Sequence, residues 1–450
     1  MKKIIMKNSK AIVTCDDDRK QLFGYDILIE DSIIKEIARN ISVDDETEIM
    51  DVSNYLIYPG LINTHHHFYQ VLTRNIPEIQ KMELFDWLLW LYERWRFLTT
   101  DMVYAASMTA MGELVKYGCT TMLDHHYVFP ENQDELIDVQ FDAAKKLGVR
   151  LHACRGSMSL GKSQGGLPPD DLVQTSDEIL KDSERLINKY HNANHGSYSQ
   201  IVLAPCSPFS VDSEIMRESA KLARKYGVKL HTHLSETEDE VEFCLKTFGM
   251  RPLEYMESVN WVGEDVFYAH GIFFNDEELK KLAETKTGVA HCPVSNMKLS
   301  SGIARISEMQ ELGVTVGLAV DGSASNDNSN LLAEIRTAYL LQKLRYKEKT
   351  TDASEILQIA TRGSAKLLGR DDIGSIEVGK CADMFFVDAT KMNYSGCLDD
   401  PAGIPGIVGI NEPVAMTMVG GDIIYKDGKF KDINEVEYAD KVNEYSKVLR

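Results

Sequence analysis

Eight short apolar segments, each with His, Cys, Asp or Ser near its end, recur along the chain. They are rich in Val, Ile, Leu and Thr, a composition typical of strands buried on both faces. Of the 12 histidines, all but His191 and His195 lie in or at the ends of these segments. The segments are LIYPGLINTHHH (56–67), GCTTMLDHH (118–126), VRLHACRG (149–156), QIVLAPCSP (200–208), VKLHTHLSE (228–236), DVFYAHG (265–271), TGVAHCPVSN (287–296) and TVGLAVDGSAS (315–325).

Most of the stretches between these segments have helical periodicity. One helix is predicted from Ser213 to Tyr226, where apolar residues recur at helical spacing before Gly227 ends the pattern, and another from Asn275 to Ala283. Alternating strands and helices imply parallel pairing through right-handed crossovers. The pattern therefore predicts an α/β fold, a (β/α)8 TIM-like barrel with its chemistry at the carboxyl ends of the strands. The alternative, a doubly wound open sheet, does not place polar side chains at the end of nearly every strand.

The two ends of the chain differ from its middle. Residues 1–55 and 375–435 alternate short strand-like runs, such as YDILIED and CADMFFVD, with acidic or polar turns. We therefore predict a small β-sandwich domain built from both termini, residues 1–58 plus 372–450. The barrel, residues 59–371, is inserted between the two parts.

Composition limits the classes of partner. The chain has 450 residues, a formal net charge of −20 and no basic patch of the kind that phosphate binding needs, so nucleic acid is not expected as a partner. No apolar run approaches transmembrane length, so a membrane is not expected either. The 8 cysteines are scattered without a CxxC pair, which suits a reducing compartment and predicts a cytoplasmic protein.

Three histidines and one aspartate at segment ends form a candidate metal site. His65 and His67 are two residues apart on a strand, so both side chains point to the same face and can bind one ion. His233 lies in an HTH motif of the same spacing, and Asp321 ends an apolar run, where a carboxylate is a poor core residue unless it binds something. These ligands suit one divalent metal ion, zinc or iron, with a position left open for water.

Two further residues are predicted to act on that water or on a substrate. Glu236 follows the HTH motif within a turn, and a carboxylate beside a metal can take and return a proton. The alternative for Glu236 is a solvated place in the acidic cluster with Glu238, Asp239 and Glu240. His270 ends the sixth segment, where an active-site role competes with a structural one. A barrel that binds metal without turnover is a further alternative, because three histidines and an aspartate could close the site.

The ordered motifs PGLINTHHH, HTHLSE, YAHG and VDGSASND resemble those of the amidohydrolase superfamily, specifically its mononuclear-metal deaminases and chlorohydrolases of nitrogen heterocycles. The resemblance covers nearly the whole chain. No lysine ends the fourth segment, where many binuclear members keep a bridging residue, so one ion is expected. The resemblance implies these roles: His65, His67, His233 and Asp321 hold the metal, Asp321 also accepts a hydrogen bond from the bound water, Glu236 shuttles the proton, and His270 polarises the substrate or orients the hydroxide.

Longer stretches point to a subgroup. HACRGSMSLGKSQGGLPPDD (152–171), APCSPFSVD (204–212) and HCPVSNMKLSSGIA (291–304) resemble the 8-oxoguanine deaminases and nearby triazine aminohydrolases. By this resemblance Gln70 binds the purine edge and Arg155 meets a substrate oxo group. The alternative for both residues is a surface or ion-pair role. The resemblance also implies a small heterocyclic substrate, 8-oxoguanine above all, and a homo-oligomer, with a dimer as the simplest assembly.

The reaction that this resemblance implies is hydrolytic deamination. Metal-bound hydroxide would attack the ring carbon that bears the amine, and Glu236 would deliver the proton of the water to the adjacent ring nitrogen. Ammonia then leaves. A triazine- or guanine-type aminohydrolase or chlorohydrolase would use the same site, so these activities are the alternatives.

Two short motifs favour other enzymes and are rejected. GSMSLGKS (156–163) fits a phosphate-binding loop, and GKSQG (161–165) fits a nucleophile elbow. Both motifs need a helix that starts at once, whereas the glycines and paired prolines of QGGLPPDD resist one. We interpret the stretch as a mobile loop over the site. The HxE and PCxxC signature of the nucleic-acid cytidine deaminases is absent.

Overall fold

Residues 2–131 and 133–450 are described by a computed structural model. The strands in this part of the chain are β1 (Lys3–Lys7), β2 (Ala11–Val13), β3 (Gln21–Leu22), β4 (Asp26–Glu30), β5 (Ile33–Ala38), β6 (Glu48–Asp51), β7 (Tyr55–Pro59), β8 (Leu61–Asn63), β9 (Cys119–His126), β10 (Arg150–Ser157), β11 (Ser199–Pro205), β12 (Lys229–Leu234), β13 (Val266–His270), β14 (Gly288–His291), β15 (Val316–Leu318), β16 (Met384–Asp388), β17 (Met416–Val419), β18 (Asp422–Lys426) and β19 (Lys429–Phe430).

The α-helices lie mostly between the strands of the middle of the chain. They are α1 (Leu84–Trp95), α2 (Thr100–Lys116), α3 (Leu136–Leu147), α4 (Ser176–Tyr190), α5 (Ser213–Tyr226), α6 (Glu238–Phe248), α7 (Pro252–Ser258), α8 (Asp276–Thr285), α9 (Pro293–Lys298), α10 (Ile306–Glu311), α11 (Leu331–Tyr346), α12 (Ala353–Gln358), α13 (Ser364–Leu367), α14 (Ile404–Ile407) and α15 (Glu435–Ser446). None of these helices is long and apolar enough to cross a membrane.

The eight apolar segments form one parallel sheet that curls into a nearly closed barrel. Its strands follow chain order from β8 to β15, and every adjacent pair is parallel. The two ends of the sheet meet where the amide and hydroxyl of Thr64 both donate to the carbonyl of Leu318, at 3.2 and 3.0 Å. The amide of Val320 also donates to Oδ1 of Asn63 at 2.9 Å. The predicted (β/α)8 barrel is confirmed.

Local capping residues explain where the surrounding helices begin and end. The side chain of Asp212 accepts the amides of Glu214 and Ile215 at the start of α5, and Gly227, with φ 68°, ends it in the left-handed region. Helix α5 therefore has the bounds predicted from the sequence. Helix α8 begins one residue after the predicted start because Asn275 is its N-cap, in a capping box with Glu278.

The barrel interior opposite the histidines is closed by apolar side chains. Side chains from successive strands, Ile62, Leu123 and Val202 among them, form one buried cluster with Leu367 and Leu368 at the end of α13. A Cβ atom on Gly288, the first residue of β14, would lie 2.1 Å from Leu367, so that glycine lets α13 approach the strand. The barrel interior is thus packed with apolar side chains at this end.

Both termini contribute to two further sheets. The seven-stranded sheet has the order β19-β18-β17-β16-β7-β2-β3 and the four-stranded sheet the order β5-β4-β1-β6. A second core lies between them, which includes Met6, Ile27, Ile57 and Phe386. The predicted β-sandwich of both termini is confirmed as part of the fold. Helix α15, near the end of the chain, packs against α2 of the barrel.

Candidate active site

Six predicted site residues meet at the carboxyl ends of the barrel strands. His65 and His67 follow β8, His233 lies near the end of β12, Glu236 follows it, His270 ends β13, and Asp321 follows β15. All six side chains are buried. All of them except His65 line a cavity, whose lining residues are His67, Gln70, Leu84, Trp87, Leu88, Tyr127, Cys206, Phe209, His233, Glu236, His270, Leu299, Asp321 and Ser325.

The predicted metal ligands lie close together at the barrel mouth. Oδ1 of Asp321 lies 3.3 Å from Nε2 of His65 and 3.4 Å from Nε2 of His67. Nε2 of His233 lies 3.2 Å from Nε2 of His67. Four ligand atoms from three barrel strands therefore face one another at the mouth of the barrel, with one of them, Nε2 of His65, lacking any hydrogen-bond partner among the described residues.

The other ring nitrogen of each histidine fixes its tautomer. Nδ1 of His67 donates to the carbonyl of His125 at 2.7 Å, and Nδ1 of His233 donates to the carbonyl of Cys206 at 2.6 Å. Their Nε2 atoms must then both present lone pairs, and two lone pairs at 3.2 Å repel unless a cation lies between them. The donor set and its geometry therefore fit a divalent metal ion.

His231 orients the third histidine, a role that the sequence interpretation missed. Its Nε2 lies 2.8 Å from Nδ1 of His65, and its Nδ1 donates to the carbonyl of Phe267 at 3.0 Å. Since the Nδ1 hydrogen of His231 is used on that carbonyl, its Nε2 accepts the Nδ1 hydrogen of His65. The HTH spacing contains the signal for this role, because residues two apart on β12 face the same interior.

Burial keeps the histidine ligands neutral, the form in which an imidazole can bind a cation. It lowers the pKa of His65 and His233 well below the ordinary range, so both imidazoles are neutral. Asp321 is buried beside these imidazoles. Its carboxylate is fixed by the hydroxyls of Ser295 and Ser325, which donate to Oδ2 at 2.5 and 3.1 Å.

Glu236 lies beside the metal ligands and pairs with His270. Its exposed fraction is 4%, so it is not a solvated member of the acidic cluster. Burial raises the pKa of Glu236 to about 7. Nε2 of His270 lies 3.5 Å from its Oε2, while Nδ1 of His270 donates to Oδ1 of Asn296 at 2.8 Å. Burial lowers the pKa of His270, but the charges of Glu236 and Asp321 more than offset this and raise it.

Three residues at the site have left-handed backbone conformations. They are Ser235 (φ 55°), His270 (φ 72°) and Asp321 (φ 63°), each at the end of a barrel strand. The conformation costs a non-glycine residue about 1–2 kcal/mol. The fold therefore tolerates strain where β12, β13 and β15 turn, and these turns aim the side chains at the cavity.

Gln70 lines the cavity as the resemblance implies. Its Oε1 accepts the amide of Ala324 at 3.2 Å, so its Nε2 hydrogens are the donors that it can offer to a ligand. A Cβ atom on Gly322 would lie 1.9 Å from this Oε1, so Gly322 lets the amide approach the turn after Asp321. These contacts hold the Gln70 amide in one orientation at the cavity wall.

Arg155 does not reach the cavity. Its Nε donates to Asp182 of α4 at 2.7 Å, its Nη2 donates to Gln174 at 2.9 Å, and its guanidinium lies over the ring of Phe129. The structure thus gives Arg155 the ion-pair role named as the alternative, rather than contact with a substrate oxo group. Strand alternation contains the reason: Cys154 faces the barrel interior, so the next side chain faces the helices.

Other residues of the site carried little or no sequence signal. His125 donates through Nε2 to the carbonyl of Ala204 at 2.8 Å and stacks on His233, with ring centroids 4.8 Å apart. One apolar cavity wall comes from α1, whose helical periodicity indicates a buried face without showing what that face covers. Its Trp87 has an indole N–H without an acceptor among the residues described.

With this geometry established, comparison with known proteins identifies the family. Residues 56–424 match the model of the amidohydrolase family. The chain belongs to the amidohydrolase family. The predicted resemblance and the predicted class of enzyme, an aminohydrolase acting on carbon–nitrogen bonds, are confirmed.

Individual amidohydrolases are similar over nearly the whole chain. An 8-oxoguanine deaminase from Pseudomonas aeruginosa is 47% identical over 85% of this chain and 85% of its own length. A hydroxydechloroatrazine ethylaminohydrolase from Pseudomonas sp. strain ADP is 39% identical over 95% of this chain and 92% of its own. The crystal structure of an atrazine chlorohydrolase from Arthrobacter aurescens TC1, complexed with zinc, superposes with a TM-score of 0.94 at 30% identity, covering 98% of this chain and 100% of that chain.

Proposed function

We propose that this amidohydrolase is a hydrolytic deaminase of amino-substituted nitrogen heterocycles and that its substrate is 8-oxoguanine, converted to urate and ammonia. The observation that carries the proposal is the place of Glu236. It is a buried carboxyl with a pKa raised to about 7, 3.5 Å from His270, at the edge of a histidine and aspartate cluster. A metal-binding barrel without turnover would not need a buried proton carrier at the open side of its site.

The ligand set supports a single metal ion as cofactor. His65, His67, His233 and Asp321 would hold it, and the facing lone pairs of His67 and His233 argue for a cation between them. Such an ion lowers the pKa of a bound water and so supplies a nucleophile at neutral pH. We propose zinc, which imidazole and carboxylate ligands suit, with ferrous iron as the alternative.

Glu236 and His270 would divide the proton chemistry. With a pKa of about 7, the carboxyl of Glu236 is present in both protonation states near neutral pH. It can therefore accept a proton from the attacking water and return it to the ring nitrogen beside the reacting carbon. His270, whose raised pKa favours the protonated form, would donate to and polarise the substrate.

The cavity supports a flat heterocycle. Its wall combines the aromatic rings of Trp87, Tyr127 and Phe209 with the amide of Gln70. The Gln70 Nε2 hydrogens and the Trp87 indole N–H are hydrogen-bond donors that suit ring nitrogens and oxo groups of a substrate. Arg155 cannot serve as such a donor, because it is paired with Asp182 outside the cavity. The similarity to an 8-oxoguanine deaminase over 85% of the chain favours that purine within this class.

A panel of substrates tests the proposal. Ammonia release by the zinc-loaded protein is measured with 8-oxoguanine, guanine, isocytosine, cytosine and an amino-triazine, and chloride release with a chloro-triazine. We expect rapid release from 8-oxoguanine and isocytosine. If only guanine or a triazine were turned over, the proposed substrate would be wrong but the proposed enzyme class would stand. The similarity to an ethylaminohydrolase is the reason for including the triazines. No release of ammonia or chloride from any compound of the panel would overturn the proposed function.

Replacing Glu236 by Gln tests its role as proton carrier. Because general acid–base catalysis contributes about 10²–10⁴-fold, we expect kcat to fall by at least about 10²-fold while zinc content, measured by atomic absorption, stays near that of the wild type. Glu238→Gln, an exposed neighbour, is the matched control and should retain normal kcat. Zinc loss with normal residual activity per zinc would refute the role.

Two further proposals concern the whole protein. The 8 cysteines are all free thiols, which supports a reducing compartment, and we propose the cytoplasm. From the resemblance we also propose a homodimer, which light scattering on the purified protein would test.

A further inference from the structure

The carboxylate of Glu240 accepts two hydrogen bonds from the backbone at Glu236 and the residue before it. Glu240 lies in the first turn of α6 and is fully buried. Its Oε1 accepts the amide of Ser235 at 2.8 Å and its Oε2 accepts the amide of Glu236 at 3.0 Å. Both carboxylate oxygens are thus used on two consecutive backbone amides, immediately beside the residue that we assign as the proton carrier.

This contact differs from ordinary helix capping elsewhere in the chain. In the capping boxes of α4, α8 and α12 the glutamate at the third helical position accepts the backbone amide of the N-cap residue. Glu240 holds the same position in α6, whose N-cap is Thr237. Its carboxylate passes over the N-cap amide and reaches one and two residues further back. A capping role alone does not require that longer reach.

The turn at Ser235 and Glu236 has a strained backbone, and it makes further hydrogen bonds through the carbonyl of Ser235. Ser235 has a left-handed backbone with φ 55°. Its carbonyl accepts the amides of Ile272 and Phe273, at 2.8 and 2.9 Å, from the turn that follows His270. The peptide unit formed by the Ser235 carbonyl and the Glu236 amide therefore links α6 to the loop that follows His270.

We propose that Glu240 is a positioning residue for catalysis: its bidentate contact with the Ser235 and Glu236 amides sets the place from which the Glu236 carboxyl faces His270 and the substrate. The inference rests on the proposed function, since it requires that Glu236 carries a proton during turnover. A misplacement of about 1 Å can cost about 10²-fold in rate, so a contact that only moves backbone can have a catalytic effect.

Two substitutions disrupt the contact in different ways. Glu240→Gln keeps the shape but sets an NH₂ group against one of the two amides. Glu240→Asp keeps the charge but is too short for both. We expect kcat to fall about 10–100-fold in each variant, with KM changed less than about threefold and zinc content unchanged. Glu355→Gln, at the same position of an ordinary capping box, is the control and should match the wild type.

A double variant distinguishes positioning from general destabilisation. If Glu240 acts through Glu236, Glu240→Gln should cost less than about twofold in a Glu236→Gln background, although it is costly alone. Equal costs in both backgrounds would overturn the inference. Hydrogen exchange of the zinc-loaded protein gives a readout independent of turnover, and the Ser235 and Glu236 amides should lose protection in Glu240→Gln.

The outcomes also separate this inference from the proposed function. A wild type that is silent on the whole substrate panel overturns the proposed function and the inference with it. A wild type that is active while Glu240→Gln retains normal kcat or normal amide protection overturns the inference alone.

Discussion

At the scale of single residues, the metal cluster depends on partners that never touch the metal position. His231 is the clearest case. Burial lowers the pKa of His231 to about 3, so the ring is neutral and can accept the Nδ1 hydrogen of His65 at 2.8 Å. That contact leaves Nε2 of His65 as a lone pair directed at Asp321. Such a partner sets both the tautomer and the basicity of a metal ligand.

Replacing His231 by Phe should weaken metal binding more than it damages the fold. The ring can still stack on Phe267, whose centroid is 4.3 Å away, but the Nδ1 hydrogen of His65 loses its acceptor. We expect the Kd for zinc, measured by competition with a chromophoric chelator, to rise about 10–100-fold. His191→Phe, outside the site, serves as the control. An unchanged Kd in His231→Phe would show that His65 needs no such partner.

Spacing predicted the site residues whose direction follows from strand geometry. His65 and His67, or His231 and His233, are two apart and share a face whatever surrounds them. Arg155 shows the limit of this reasoning. A long side chain at a strand end finds its partner across space, and Asp182 lies on a helix whose packing against β10 is not visible in the sequence.

At the scale of elements, Gly156 explains why a phosphate-loop motif occurs without a phosphate loop. It lies within β10, and no α-helix begins until α4 at Ser176. A Cβ atom on Gly156 would lie 2.3 Å from the carbonyl of His126 and 2.7 Å from Cβ of Tyr127. The glycine is therefore needed for the close approach of β10 to the end of β9.

Gly156→Ala should destabilise the protein and Gly112→Ala should stabilise it. The first change forces β9 and β10 apart, at a cost of about 1–3 kcal/mol, and displaces Tyr127 at the cavity wall. The second adds a methyl group in the middle of α2, where the nearest atom, of Phe430, is 3.5 Å away, and a helical alanine gains about 0.5–1 kcal/mol over glycine. Melting temperatures should thus move in opposite directions. A rise for Gly156→Ala would mean that the strands can separate without cost.

The ends of a helix could be predicted where capping residues in the sequence set them. The packing partner of a helix could not, because it depends on distant parts of the chain. The bounds of α5 follow from Asp212 and Gly227, which lie in the sequence itself. The attachment of α15 to α2 does not, because its side chains meet residues more than 300 positions earlier, as in the pair of Lys116 and Glu435. For the same reason the division at residues 58 and 372 stays a prediction.

At the scale of the whole molecule, the barrel buries many uncharged histidines. Burial lowers the pKa of the histidines at positions 65, 66, 67, 125, 126, 152, 231, 233 and 291. A smaller set of buried carboxyl groups has raised pKa values. Burial raises the pKa of Asp124, Glu236 and Glu240 to about 7 and that of Glu334 to about 8. Both sets depend on which residues the closed barrel removes from water, so neither could be predicted from composition.

This imbalance predicts that acid destabilises the metal-free protein. Below pH 6.5 the unfolded chain protonates these histidines while the folded chain does not, so stability is lost as pH falls toward their folded pKa, by about 1.4 kcal/mol per pH unit for each proton of difference. The buried acids hold protons in the folded state that the unfolded chain releases above about pH 4.5, which offsets part of this loss.

We therefore expect the melting temperature of chelator-treated protein, followed by circular dichroism, to fall between pH 7.5 and pH 5.5. Zinc binds only neutral imidazoles, and the folded ligand histidines are already neutral in this range, so the gap between zinc-loaded and chelated samples should change little. A chelated melting temperature that rises on acidification would show that the buried acids outweigh the histidines. A zinc-dependent gap that shrinks on acidification would show that the ligand histidines take up protons in the folded state.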